Sequence, residues 1–284
     1  MQAGTPSRTA WAAAFHRAAH QVLEEGRIFS DPLALRIVGK NDPEVIAREA
    51  EERTSGRGMR TFIASRHRFA EDALAAAVDR GVQQLVVLGA GLDTYAYRNP
   101  FGDRLRVIEV DHPDTQAWKR QLLAAAEIPV PVSLTFAAAD FERLTLREIL
   151  SAAGFNSGEP AFFTWLGVVP YISTEAVWST LSFIASLSRG ASLVFDYGEP
   201  PDQLTPEMRA VHQDRAMRVA ALGEEFKSYF EPEPLHRELT AAGFVEIEDL
   251  GPRQIASRYF PSRAASAPER GGHLIRAATE AGGI

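Results

Sequence analysis

The residues best suited to chemistry in this 284-residue sequence lie in a few short stretches. "LVVLGAGLDT" (85–94) runs an apolar, β-prone segment into Gly89-Ala90-Gly91, with Asp93 and Thr94 close behind. Glycine allows a tight turn and lets a ligand touch the main chain, so a strand stopping at such a loop offers its backbone to a small molecule. Alone this is a weak signal, because many strand–helix turns carry glycine for packing. Spacing narrows it. A dinucleotide loop reads G-x-G-x-x-G, and the position of its third glycine is Thr94. That glycine brings a helix N-terminus close to a pyrophosphate. Its absence disfavours NAD or FAD and suits a nucleoside that carries no phosphate.

A nucleoside needs an acid for its ribose hydroxyls, about twenty residues on, at the end of the next strand. "RVIEVDHPD" (106–114) supplies Glu109 and Asp111. They are two apart and share a strand face. Asp111, at the tip, is the preferred ribose ligand, with Glu109 supporting the loop or contributing directly. "TFAAADFE" (135–142) then ends in Asp140-Phe141: the carboxylate can accept from an adenine amino group and the phenyl ring can cover the base. Helix capping by Asp140 is the alternative, and the two roles are compatible. In this fold class a phosphate-free nucleoside most often means S-adenosyl-L-methionine, whose own carboxylate needs a cation. Upstream, Phe62, Ile63, Phe69 and Ala70 lie three or four residues from Arg66, which puts Arg66 on their apolar helix face. An inward arginine usually meets an anion, either a ligand's or a structural acid's. Arg68 points instead toward Glu71 and Asp72.

These groups need elements to position them. The first 80 residues read as helix: 9–22, a short helix opened by Ser30-Asp31-Pro32, another opened by Asp42-Pro43-Glu44, and a long one from about Met59 to Arg80. From Gln84 strands and helices alternate, with strands at 84–89, 105–110, 132–138, 161–166, 192–197, 244–250 and 272–278. That predicts an α/β fold: a doubly wound, mostly parallel seven-stranded sheet with a helical N-terminal addition. The expected organisation is a helical cap over 1–80 and a Rossmann-like domain over 81–284. The Pro/Ser/Arg-rich stretch 251–271 is expected to be a mobile loop.

Composition sets the outer bounds. There is no cysteine, which removes disulfides, thiolate metal sites and cysteine nucleophiles. The net charge of −7 argues against nucleic acid as partner. The longest uncharged run, 160–174, is too short to span a bilayer. No signal peptide is visible, and a cytoplasmic enzyme is expected. His16 and His20 stand one helical turn apart, a spacing better explained by a core or solvated role than by a metal. His67 is expected to face away from Arg66. No metal is expected.

Taken together, "ASRHRFAEDAL", "VVLGAGLDT" followed by Arg98, "EVDHP", "AADF" and "TWLGVVPYI", in this order and spacing, resemble the leucine carboxyl methyltransferase family over roughly residues 5–250. The resemblance implies a class I S-adenosyl-L-methionine-dependent methyltransferase. It further implies that Arg66 holds the cofactor's carboxylate, that Gly89, with Ala90 and Gly91, lies at the methionine moiety, that Asp111 binds the ribose, and that Asp140-Phe141 sits at the adenine. Tyr171 matches a tyrosine near the acceptor carboxylate. Two positions depart from the family: Leu166 stands beside the cofactor where glutamate is common, and Phe141 replaces leucine. The expected reaction is O-methylation of a small organic carboxylate to a methyl ester. An ionised acceptor needs no general base, and Arg258 or Tyr259 could help orient it. The rival readings are an NAD(P)-dependent oxidoreductase and a non-catalytic protein that binds the nucleoside.

Overall fold

The computed structural model describes residues 6–52, 56–139 and 144–279. The helical N-terminal part comprises α1 (Arg8–Leu23), α2 (Ala34–Ile37), α3 (Pro43–Glu52) and α4 (Arg57–Asp79). The alternating part follows: β1 (Gln84–Leu88), β2 (Arg106–Asp111), α5 (Pro113–Ala125), β3 (Leu134–Ala138), α6 (Leu146–Ala152), β4 (Ala161–Trp165), α7 (Thr174–Ala185), β5 (Ala191–Gly198), α8 (Pro206–Ala220), α9 (Pro232–Ala242), β6 (Glu246–Leu250), α10 (Pro252–Tyr259) and β7 (Gly272–Ala278).

The strands form one sheet in the order β3-β2-β1-β4-β5-β7-β6. All neighbours are parallel except β7, which runs antiparallel to both β5 and β6. Period-two alternation splits the core. Leu85, Val87, Phe162 and Val194 pack on one face with Phe69 and Leu74 of α4. Val86, Leu88, Phe163 and Phe195 pack on the other with Leu150 of α6, Leu181 of α7 and Leu239 of α9. Burial from both sides explains the unbroken apolar runs of β1 and β4.

The long helix α4 packs directly against β4, β5 and β7, so it belongs to the sheet's own covering layer. The outer layer is α1–α3, whose Phe15, Ile37 and Ile46 close a third core with Leu92 and with Leu123 of α5. A polar network ties this layer to the glycine loop. Arg17 donates to Asp31 at 3.2 Å and to the Leu92 carbonyl oxygen at 2.6 Å, and Thr94 donates to Asp31 at 2.7 Å. Thr94 is thus a buried anchor of the cap, which accounts for a residue other than glycine at that position.

The stretch 251–271, expected to be a mobile loop, is helical over much of its length. Residues 252–259 form α10, residues 261–266 form a 3-10 turn, and Arg253 pairs with Glu269 at 3.0 Å. Gly251-Pro252 is a helix start, with proline at the first helical position, and Ile255 and Ala256 are buried. The proline, serine and arginine content obscured that short amphipathic pattern.

Candidate active site

Strand order reverses between β1 and β4, and in doubly wound sheets the ligand crevice opens at the carboxyl ends of the strands flanking that point. Both ends here are glycine turns. The β1–β2 ladder continues into the first, with Gly89 and Ala90 N–H donating to the Val110 carbonyl oxygen at 2.8 and 3.1 Å. Gly89 has φ +63°, and a Cβ on it would lie 2.3 Å from Val168, which follows β4. Only glycine permits this backbone shape and this approach. Across the crevice Gly167 has φ +73°, and a Cβ there would lie 2.6 Å from Nη1 of Arg66. Ala10 of α1 rests against Gly91 from above.

Asp111 is at the tip of β2, where the sequence placed it. Its two carboxylate oxygens accept from the Gly91 N–H at 2.5 Å and the His112 N–H at 2.7 Å. Burial pushes its pKa up, against the pull of those two backbone donors. The carboxylate therefore fixes the glycine loop's shape, and each oxygen keeps a lone pair for another donor. Glu109 lies deeper, 1% exposed, paired with the buried Lys119 at 2.7 Å and touched by the Tyr97 hydroxyl at 3.2 Å. Burial pushes its pKa up to about 7 despite Lys119. It supports the β2–α5 core beneath the loop.

Arg66 faces inward and is buried. Its Nη1 donates to Asp196 at 3.2 Å, and the other Asp196 oxygen accepts the Gly167 N–H at 2.5 Å. Asp196, near the end of β5, is one residue of the candidate site that sequence reasoning missed; its signal was a lone acid inside the apolar run "SLVFDYG". Arg66 keeps a buried Nε with no hydrogen-bond partner. A guanidinium with donors unspent at the mouth of two glycine turns fits an anionic group such as an amino-acid carboxylate. Arg68 does point outward, to Asp72 at 2.8 Å.

His67 corrects the expectation that it faces away. It is buried against Phe29, its Nδ1–H donates to the Ile63 carbonyl oxygen at 2.8 Å, and Nε2 lies 3.5 Å from Asp93. Burial lowers its pKa, against the opposing pull of Asp93. Leu166 is half-buried and turns into the same layer, bordering a small cavity with His67, Asp93, Tyr95 and Thr164. His20 is also core, its Nε2 facing the Ile28 and Phe29 N–H groups at 3.4 Å. No cluster able to hold a metal ion occurs among the described residues. Asp140 and Phe141, expected at the adenine, lie outside the described residues.

Tyr171 closes the turn after β4, its ring 5.2 Å from that of Phe226. Burial raises its pKa, while the guanidinium of Arg215 beside its hydroxyl, and Arg66 farther off, work to lower it. Arg258 and Tyr259 are elsewhere, on α10: Arg258 pairs with Glu248 at 2.6 Å, and Tyr259 packs in the core shared with α4.

A model of the leucine carboxyl methyltransferase family matches residues 10–185. The chain belongs to the leucine carboxyl methyltransferase family. Relatives bear this out across most of the chain. "Putative S-adenosyl-L-methionine-dependent methyltransferase YktD" of Bacillus subtilis (strain 168) is 32% identical over 246 residues, covering 85% of this chain and 78% of that protein. A "Putative S-adenosyl-L-methionine-dependent methyltransferase" of Mycolicibacterium paratuberculosis is 31% identical over 246 residues, 78% of this chain and 76% of its own length. The fold likeness extends to the crystal structure of a "putative methyltransferase" from Thermobifida fusca, with TM-score 0.59 and 19% identity over 99% of this chain and 97% of that one. The seven-stranded sheet with β7 reversed is the class I methyltransferase fold.

Proposed function

We infer that the protein transfers the methyl group of S-adenosyl-L-methionine to a carboxylate oxygen of a small organic acid, giving a methyl ester. The cofactor, when bound, supplies an electrophilic methyl group on a sulfonium. Arg66 would hold its carboxylate, the Gly89–Gly91 main chain would lie along its methionine part, and Asp111 would accept from the ribose hydroxyls. The rest of the task is alignment, because an in-line displacement requires nucleophile, methyl carbon and sulfur to be collinear.

The observation that carries the acceptor reading is the charge around Tyr171. The Arg215 guanidinium bears most on its hydroxyl, ahead of the opposing carboxylate of Glu224 and the more weakly felt Arg66. The nearby His212 is held below its usual pKa by burial and by Arg215. A guanidinium beside the acceptor position favours an anion there. A carboxyl group of pKa about 4 is already ionised at neutral pH and has no proton to remove. Covering the crevice with α1 and the segment around Phe226 strips water from that carboxylate and sharpens its nucleophilicity.

The test is the pH dependence of S-adenosylhomocysteine formation with carboxylic acid acceptors. The rate should stay level from about pH 6 to 8.5, since an acceptor carboxyl of pKa about 4 is ionised throughout that range. A tenfold rise per pH unit in that window would mean that the acceptor loses a proton in the reaction, and the carboxylate reading would fall.

A further inference from the structure

Helix α8 is an unusual element. Of its 15 residues only Val219 is buried. Met208, His212, Arg215 and Val219 recur at helical spacing as its inner stripe, the first three half-buried. This stripe meets an aromatic group at the carboxyl ends of β4 and β5. The His212 ring stacks on Phe226 at 5.5 Å, and its Nε2 lies 2.9 Å from the Tyr229 hydroxyl. Tyr229 in turn borders Gly198, the last residue of β5. The Arg215 guanidinium lies over Phe226, 5.0 Å from the ring centroid, and Phe226 meets Tyr171.

Arg215 differs from other buried and half-buried arginines. Arg17 has Asp31, Arg60 has Glu24, Arg66 has Asp196 and Arg98 has Glu71. Among the described residues no carboxylate lies within ion-pair distance of Arg215. The acid that bears on Tyr171 from this side, Glu224, is committed elsewhere: it accepts from the Ser7 hydroxyl, the Arg8 N–H at 2.9 Å and the Thr9 hydroxyl at the start of α1. A half-buried guanidinium aimed at aromatic faces, with no acid of its own, is short of an anion.

We propose that Arg215 binds the acceptor's carboxylate, and that Phe226, Tyr229 and His212 receive a flat, apolar body attached to it. This rests on the methyl-ester reading above and narrows its substrate to acids of aromatic character. The chemistry is balanced: one carboxylate oxygen forms a bond to the methyl carbon as the carbon–sulfur bond breaks, and the electron pair stays on sulfur, leaving a neutral thioether. The ester is uncharged, so its formation removes the ion pair with Arg215 and frees the product. Arg215 thus holds the substrate more firmly than the product, and its loss should raise acceptor KM more than it lowers kcat.

The experiment uses the full chain saturated with S-adenosylhomocysteine, titrated with cinnamate, cinnamamide and hexanoate. The parent should bind cinnamate at least tenfold tighter than the amide and severalfold tighter than hexanoate. Arg215→Gln should lose the preference for acid over amide, and Arg215→Lys should keep part of it. Both variants should retain the parent's Tm and S-adenosylhomocysteine affinity, which separates a binding role from a folding role. A preference retained in Arg215→Gln, no preference in the parent, or equal binding of hexanoate would overturn the proposal. The two levels separate on product chemistry. An alkali-labile methyl product with an unchanged preference in Arg215→Gln removes only Arg215, whereas an alkali-stable product removes the ester reading itself.

Discussion

Among the described residues, Asp111 and Glu109 on the β1–β2 side of the crevice are answered by donors from nearby structure, whereas on the β4–β5 side no carboxylate pairs with Arg215. Asp111 is held by Gly91 and His112, Thr94 by Asp31, and Arg17 by Asp31 and the Leu92 carbonyl. Around Tyr171 the contacts are instead aromatic faces brought in from α8 and the segment after it. The side proposed for the cofactor has a shape made mainly of main chain, which would suit a ligand that never changes. The side proposed for the acceptor presents side chains on a helix of which only Val219 is buried.

The sharpest way to break this comparison is Gly89→Ala. The added methyl would overlap Val168, and φ +63° costs a non-glycine residue roughly 1–2 kcal/mol. Calorimetric titration should detect no S-adenosylhomocysteine binding, and Tm should fall by several degrees. Binding at parental strength would show that the ligand does not lie on this turn. Asp111→Ala removes both the loop's anchor and the proposed ribose acceptor. Hydrogen bonds to a charged group are worth about 1.5–3 kcal/mol, so S-adenosylhomocysteine affinity should drop roughly tenfold to a hundredfold. Arg66→Lys should cost less, on the order of tenfold, because the pairing with Asp196 survives as a point charge while the fork is lost. Acceptor binding should barely move, and an equal loss of both would mean that the two sides are not separable.

A smaller effect sharpens the cofactor side's dependence on its cap. Glu24, at the end of α1, is paired with Arg60 of α4 at 2.8 Å. Burial works to raise its pKa, but hydrogen bonds from His20 and Arg60 outweigh that and hold it at about 2. A carboxyl whose folded pKa is depressed stabilises the fold above its ordinary pKa of about 4.5 and loses that contribution as pH falls through 2. In urea titrations the stability difference between the parent and Glu24→Gln should therefore be constant above about pH 5 and shrink on acidification toward pH 2. A difference that grows on acidification would contradict the assignment.

How much was legible in the sequence follows the same division. The glycine loop, Asp111 and the inward Arg66 are encoded in local spacing: a strand end, a two-residue alternation, a helix face. Those signals survive folding because neighbouring backbone sets that local geometry. Asp196, His212, Arg215 and Phe226 were not seen, because they become neighbours of Arg66 and Tyr171 only once β5 and α8 are in place. The inward turn of His67 was missed for a related reason: α4 is covered by the sheet on one side and by α1 on another, so a helix read as having one buried stripe has a wider one. Helix α10 was hidden by composition, which speaks to turns more loudly than to an eight-residue helix.

The central claim is that the transferred methyl group ends on a carboxylate oxygen. The most direct measurement follows a labelled methyl group from S-adenosyl-L-methionine into product made by the full chain, and then exposes that product to mild alkali. A methyl ester hydrolyses and releases the label as methanol, which is the predicted result. Label that stays on the product after alkali would mark an ether or an N-methyl group, and would contradict the account.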